Sequence, residues 1–184
     1  MAVVYAFLAD GLEEVECLAA VDVLMRGGVN VTLVSVTGQT EVTGSHGITI
    51  KADTVLEQVD CEQADVLFLP GGMPGTAHLA ACEPLCQALL SADRTGRRIA
   101  AICAAPSVLG GLGLLSGRKA TCFPGYEEKL TGAEYTRQGV VTDGHITTAR
   151  GLGYALDLGL ELVRLLVSED ESKKVKAAIQ YDQC

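Results

Sequence analysis

The amino-acid sequence predicts an α/β domain in which helices and parallel strands are doubly wound. Short uninterrupted apolar runs, typical of strands buried on both faces, alternate with segments of helical periodicity. The 21 glycines and the 48% hydrophobic content fit a compact protein with many tight turns. A length of 184 residues is that of one domain, so we expect a single domain over 1–184.

The elements of the first half are bounded by glycine, proline and acidic residues. A helix over 13–26 has one apolar face and is closed by Gly27-Gly28, as helices commonly are. Between residues 41 and 52, polar and apolar residues alternate around Gly44 and Gly47, which is typical of a hairpin. The predicted elements are strands 3–9, 29–36 and 66–69, the hairpin 41–52 and a helix over 85–92.

The second half continues the alternation. Residues 99–102 predict a buried strand, and Pro106 beyond it suits the first turn of a helix. Asp143-Gly144 is a hairpin turn signal, and Ser168 followed by Glu171 has the form of a capping box. The other predicted elements are strand 119–123, hairpin 140–148 and helices 153–167 and 168–178.

Charge and composition exclude several classes of partner. The chain has 14 basic and 23 acidic residues, a net charge of −9, and no basic stripe, so nucleic acid is not expected. The start has no positive region and reaches Asp10 too soon for a signal peptide or membrane span, so we expect a cytoplasmic protein. The seven cysteines have no disulfide-framework spacing and are interpreted as reduced thiols: 17, 61, 82, 86, 103, 122 and 184.

The stretch from Arg98 to Pro106 is the most informative segment. Its strand stops at Cys103 and a helix follows, so Cys103 lies on a sharp turn at the carboxyl end of a strand, where open α/β sheets bind ligands. A helix N-terminus favours thiolate, which predicts a lowered cysteine pKa. The turn is similar to the elbow that presents serine in α/β-hydrolases. The alternative is a buried structural cysteine.

Other motifs do not support a cofactor or metal. Gly111-Leu-Gly113 lacks a third glycine and a preceding strand, so it is not a dinucleotide loop. Cys82 and Cys86 have no matching pair of ligands nearby, which argues against zinc. The histidines are dispersed singletons, more typical of surface loops than of ligands: His46, His78 and His145.

A second candidate site is the acidic segment Asp10-Gly-Leu-Glu-Glu-Val-Glu16. Glu13 and Glu14 are explained by the preference for acidic residues in a first helical turn. Glu16 lies one turn further, towards the sheet edge where Cys103 emerges. Like charge and desolvation there would raise the pKa of its carboxyl group, which could then donate a hydrogen bond to sulfur and move protons.

The third candidate is Pro70-Gly71-Gly72-Met-Pro74, where a strand ends in two glycines. Glycine backbone can approach a ligand closely and present its N–H groups. The N–H groups of Gly72 and Ala104 are therefore predicted to form an oxyanion hole.

These three motifs, together with Thr148-Ala-Arg-Gly-x-Gly153, resemble the ThiJ/PfpI family, in the branch of the Parkinsonism-linked protein DJ-one and its bacterial relatives. The resemblance extends from residue 3 to about residue 167. It implies a flavodoxin-like sandwich related to the class I glutamine amidotransferases, and a homodimer that packs through the first helix and the early hairpin. It also implies that no cofactor is needed, that Cys103 is the nucleophile and redox-sensitive thiol, and that Glu16 is its protonated partner.

The chain departs from the family pattern at three places. Protease-type members have a histidine where this chain has Ala104, so a peptidase is not expected. Members near DJ-one often have a histidine at the position of Phe123 and an arginine at that of His46, after Ser45. The retained arginines, with the hairpin pair, are candidate anion or dimer-seam contacts: Arg26, Arg150, Ser45 and His46.

The resemblance leaves two classes of function open. One is an enzyme that protects against carbonyl or oxidative stress by converting small α-oxoaldehydes or releasing their glycated adducts, with methylglyoxal to lactate as the family example. In it Cys103 adds to the aldehyde and Glu16 relays a proton between carbons. The other is a redox sensor or stress chaperone in which Cys103 is oxidised to sulfinic acid.

Overall fold

The computed structural model describes residues 1–181 and contains a central sheet covered by helices on both faces. Cys184 lies outside the described residues. The strands are β1 Val3–Leu8, β2 Asn30–Ser35, β3 Glu41–Thr43, β4 Thr49–Lys51, β5 Thr54–Val55, β6 Val66–Leu69, β7 Arg98–Ile102, β8 Lys119–Ala120, β9 Glu134–Tyr135, β10 Val140–Asp143 and β11 Ile146–Ala149. The helices are α1 Glu14–Arg26, α2 Gly75–Ala81, α3 Glu83–Thr95, α4 Pro106–Gly111, α5 Ala155–Leu166 and α6 Glu169–Ala178.

Seven strands form the central sheet in the order β10-β11-β7-β6-β1-β2-β5. All neighbouring pairs are parallel except β10 with β11, which form the predicted hairpin. The predicted doubly wound α/β fold, of the flavodoxin-like type, is confirmed. Because β7, β6 and β1 are neighbours, the loops after their carboxyl ends meet at one edge of the sheet.

The core consists of two apolar layers, one on each face of the sheet. Helices α1, α5 and α6 cover one face, while α2, α3 and α4 cover the other. Gly159 of α5 packs directly against Val23 of α1, where an added Cβ would collide with the valine. This close packing of α1 fixes where its first turn, and therefore Glu16, lies.

Several element boundaries differ from the sequence predictions. The predicted strand 119–123 is only two residues long and pairs with β9 outside the central sheet. It stops because the N–H of Thr121 donates to the Thr148 hydroxyl at 3.0 Å, and that of Phe123 to the carbonyl of Cys103 at 2.8 Å. Helix α2 was not predicted, because its seven residues are too few to show a helical period of apolar positions. The predicted Ser168 cap is confirmed, since its hydroxyl accepts from the N–H of Glu171 at 3.1 Å.

Among the described residues, we find no helix with the length and apolarity that a membrane crossing requires.

Candidate active site

Cys103 lies on the strained turn that the sequence predicts. It follows β7 immediately and has φ of 64°, a left-handed conformation that costs a non-glycine residue about 1–3 kcal/mol. Its N–H donates to the carbonyl of Ala149 at 2.9 Å, while the N–H of Ala105 donates back to Ile102 at 3.0 Å. Hydrogen bonds from two directions therefore hold the strained backbone, and the thiol is left partly accessible.

Glu16 lies beside Cys103, as predicted. Glu13 caps α1 by accepting from the N–H of Glu16 at 2.6 Å, and the Glu16 side chain is 1% exposed. Gly71 lines the contact, because an added Cβ there would collide with both Oε2 of Glu16 and Cβ of Cys103. The sequence therefore requires glycine at position 71 to let the two reactive groups meet.

Burial raises the pKa of Glu16 to about 7. The Cys103 thiol and the backbone N–H groups of Gly71 and Leu152 lower this pKa, and the charge of Glu13 raises it, but burial dominates. None of these donors reaches Oε2 at full hydrogen-bond geometry, so this buried oxygen has no partner among the described residues. A protonated carboxyl suits this environment, as the sequence argument expects.

The predicted lowering of the Cys103 pKa is wrong. Burial, then the charge of Glu16 and its hydrogen bond, raise the pKa of this thiol to about 12, although the N–H groups of Ala104 and Gly72 lower it. The helix N-terminus favours thiolate, but burial of the sulfur, which the sequence does not reveal, has the larger effect. The second and third causes exist only while Glu16 is ionised, so the thiol and the carboxyl group titrate as a coupled pair.

The two predicted backbone donors lie where they were expected. The N–H groups of Gly72 and Ala104 are close enough to Cys103 to favour its thiolate. Gly72 has φ of 91°, and an added Cβ would collide with the backbone at Leu12 and Glu13, so this position also requires glycine. Two fixed N–H groups directed at one sulfur can stabilise negative charge that develops beside it.

Glu14 has a structural role that the preference for acidic residues in a first helical turn does not predict. This carboxylate is buried and accepts from the N–H of His46 at 2.9 Å, while its other oxygen lies 3.0 Å from Nδ1 of that ring. The Ser45 hydroxyl donates to it at 3.4 Å. Burial opposes ionisation, but the bonds from His46 outweigh it and lower the pKa of Glu14 to about 2. No local signal reveals this role, because the hairpin lies about thirty residues away.

The four candidate anion contacts are not gathered at one place. Ser45 and His46 belong to the Glu14 cluster, whereas Arg26 pairs with Asp22 at 2.6 Å at the other end of α1. Arg150 lines a cleft beside Gly151. The ligand atoms of Glu13, Glu14 and His46 lie within 4.8 Å of one another, but both carboxylates already accept hydrogen bonds from the backbone.

Two cavities flank this region. One of about 610 Å³ lies between α2 and α4 and is lined by neither Cys103 nor Glu16. A second, of about 290 Å³, is likewise lined by neither Cys103 nor Glu16, but Gly151 in its wall lies close to the carboxyl group, because an added Cβ on this glycine would be 3.9 Å from Oε1 of Glu16. We therefore regard the smaller cleft as the one next to the reactive pair.

Fold and site together define a class: flavodoxin-like α/β proteins that present a cysteine at a strained strand-to-helix turn beside a buried carboxyl group. The comparisons with known proteins agree, because the profile of the DJ-1/PfpI family matches residues 2–165. The chain therefore belongs to the DJ-1/PfpI family.

Relatives and solved structures cover nearly all of this chain. It is 40% identical over 174 residues to "Protein DJ-1 homolog B" of Arabidopsis thaliana, which covers 94% of this chain and 40% of that protein. It is 32% identical to "Glutathione-independent glyoxalase DJR-1.2" of Caenorhabditis elegans, covering 89% of this chain and 87% of that one. The structure "Toxoplasma gondii DJ-1, oxidized" has a TM-score of 0.95 at 32% identity, with all of both chains covered. The chain thus spans less than half the length of the Arabidopsis relative.

Proposed function

We propose that this protein is a cofactor-independent cysteine enzyme acting on small α-oxoaldehydes or their adducts, a glyoxalase or deglycase that protects against carbonyl or oxidative stress in the cytoplasm. The observation that carries the proposal is the pairing of a partly accessible Cys103 with a buried Glu16 whose pKa is about 7. A carboxyl group with that pKa accepts and returns protons at neutral pH. The relative named as a glutathione-independent glyoxalase supports the same chemistry.

The mechanism begins with addition of the Cys103 sulfur to the aldehyde carbon. Glu16 accepts the thiol proton and returns it to the aldehyde oxygen, which gives a hemithioacetal, while the N–H groups of Gly72 and Ala104 stabilise the developing oxyanion. Glu16 then removes the proton from the former aldehyde carbon and delivers it to the neighbouring keto carbon, while the hydroxyl proton passes from the former aldehyde oxygen to the keto oxygen.

The product of this proton transfer is the thioester of a hydroxy acid. The aldehyde carbon has been oxidised and the keto carbon reduced, so no external electron carrier takes part. Water cleaves the thioester and restores the thiol, and methylglyoxal plus one water gives lactate. In the deglycase form, the Cys103 sulfur displaces the amine or thiol from the carbinol carbon of the glycated adduct. The new C–S bond forms as the bond to the leaving amine or thiol breaks, Glu16 passes the Cys103 thiol proton to the leaving group, and the same hemithioacetal results.

Lactate formation from methylglyoxal by purified protein in the presence of a chelator tests the proposal. We expect turnover by the wild type and a loss of at least about a hundredfold in Cys103→Ser, because a serine hydroxyl at this site is a far weaker nucleophile. The control is Cys82→Ser, which changes another partly exposed cysteine. If Cys103→Ser retains most of the activity, or the wild type has none, the proposal is wrong.

The second candidate is a redox sensor or stress chaperone that works through oxidation of Cys103. It is supported by the N–H groups that would bind sulfinate oxygens at this sulfur, and by the similar structure of an oxidised DJ-1 from Toxoplasma gondii. Absence of turnover, together with a measurable change in stability or binding after sulfinate forms, would favour this function.

We also propose that the protein is a homodimer. Three side chains on α1 and one on the hairpin remain exposed although they are apolar: Val15, Leu18, Met25 and Ile48. They flank the buried face of α1, so a second copy meeting this surface would form an isologous interface. Such a dimer would bring the second copy near Glu16 and would cover one side of the pocket.

A further inference from the structure

The cleft beside the reactive pair has an unusually apolar wall for an exposed surface. Phe123, Leu152 and Tyr154 line it, with 47%, 50% and 38% of their surfaces exposed. Single exposed apolar side chains are normal on any protein. Three large ones around one concave site of about 290 Å³ indicate a surface shaped for an apolar ligand.

The backbone attaches this wall to both reactive groups. The N–H of Phe123 donates to the carbonyl oxygen of Cys103 at 2.8 Å, and the N–H of Leu152 faces the carboxyl group of Glu16. Gly151 lies between them, because an added Cβ there would be 3.2 Å from the Phe123 ring and 3.9 Å from Oε1 of Glu16. The Phe123 ring and the Glu16 carboxyl group therefore both border Gly151, one of the residues that line the cleft.

We propose that this cleft binds an apolar, preferentially aryl, substituent of the substrate, and that Phe123 sets this preference. The inference rests on the proposed function and narrows its substrate class to α-oxoaldehydes with an apolar group on the keto carbon, such as arylglyoxals. Burying such a group against Phe123 and Leu152 removes apolar surface from water. Arg150, also in the wall, adds a cation that is attracted to the face of an aryl ring.

The test compares kcat/KM for phenylglyoxal and glyoxal in the wild type, Phe123→Ala and Phe123→Leu. A hydrophobic contact of this size changes specificity about tenfold. We expect Phe123→Ala to lose about tenfold on phenylglyoxal and to change less than twofold on glyoxal, with Phe123→Leu in between. Val167→Ala is the matched control, because Val167 is 48% exposed but lies outside the cleft.

A labelling experiment separates failure of this inference from failure of the proposed function. Iodoacetamide and iodoacetanilide deliver the same carbon to the Cys103 sulfur, displacing iodide, but only the second has a phenyl ring. The ratio of their rates at Cys103, measured by peptide mass spectrometry, should fall about tenfold in Phe123→Ala and remain unchanged in Val167→Ala.

Each outcome decides the matter. If the wild type is active and Phe123→Ala loses kcat/KM selectively on phenylglyoxal, the inference is supported. If Phe123→Ala loses equally on both aldehydes, or loses on neither, the inference is overturned while the proposed function remains intact. If the wild type turns over neither aldehyde, the proposed function is wrong, and the labelling ratio then decides whether the cleft binds apolar groups. A ratio that Phe123→Ala leaves unchanged overturns the inference.

Discussion

Replacing Glu16 by glutamine tests whether the buried carboxyl group is neutral in the folded protein. The group is 1% exposed, and burial raises its pKa from 4.5 to about 7. A rise of that size corresponds to about 3 kcal/mol of folding free energy, which the protein loses when the group must ionise in place. Glutamine has nearly the same shape and never ionises, so Glu16→Gln avoids this loss.

The direction in which stability changes with pH follows from proton binding to Glu16. Between pH 4.5 and about 7 the folded state holds a proton on Glu16 that the unfolded state has released, so wild-type stability falls as pH rises through this range. Above pH 7 both states are ionised and the loss is complete. We therefore expect Glu16→Gln to match the wild type near pH 4 and to exceed its stability by up to about 3 kcal/mol at pH 8.

Urea unfolding at pH values from 4 to 8 measures this difference, with Glu128→Gln as a control because Glu128 is exposed. The same preparation should have lost lactate formation by about 10²–10⁴-fold, since glutamine keeps a donor but cannot transfer a proton. Parallel stability profiles for the wild type and Glu16→Gln would show that Glu16 ionises normally. Near-wild-type turnover in Glu16→Gln would remove the side chain from the mechanism.

Three further predictions follow from the same geometry. Mild peroxide should place the first added oxygens on Cys103, because its sulfur is partly accessible and the adjacent N–H groups of Gly72 and Ala104 can bind the oxygens of a sulfinate; peptide mass spectrometry showing Cys82 oxidised first would contradict this. Sedimentation should give a mass near twice 19.2 kDa, and Leu18→Asp should lower both that mass and the activity; a fully active wild-type monomer would refute the dimer. Glu14→Gln should destabilise the protein by about 1–3 kcal/mol in urea, because its buried carboxylate accepts the hairpin's hydrogen bonds, and an unchanged midpoint would refute that role.

The sequence by itself determined the features that depend on neighbours in the chain. The alternation of apolar runs and helical periods predicted the order of the sheet's main elements, and the break between Ile102 and Pro106 predicted the turn at Cys103. The position of Glu16, one turn into a helix that starts at the same sheet edge, predicted its approach to the sulfur. These predictions succeeded because hydrophobic periodicity and the residues that start and end helices and strands are local properties of the chain.

Only the tertiary structure decided the features that depend on distant segments. The thiol pKa rises instead of falling, because Gly71 after β6 packs against Cys103 and Glu16 of α1 lies beside its sulfur. Glu14 holds a hairpin some thirty residues away, and Phe123 reaches the reactive pair through a backbone hydrogen bond across twenty residues. Desolvation and hydrogen bonding depend on every atom packed around a group, and packing between distant segments leaves no periodic signal in the sequence.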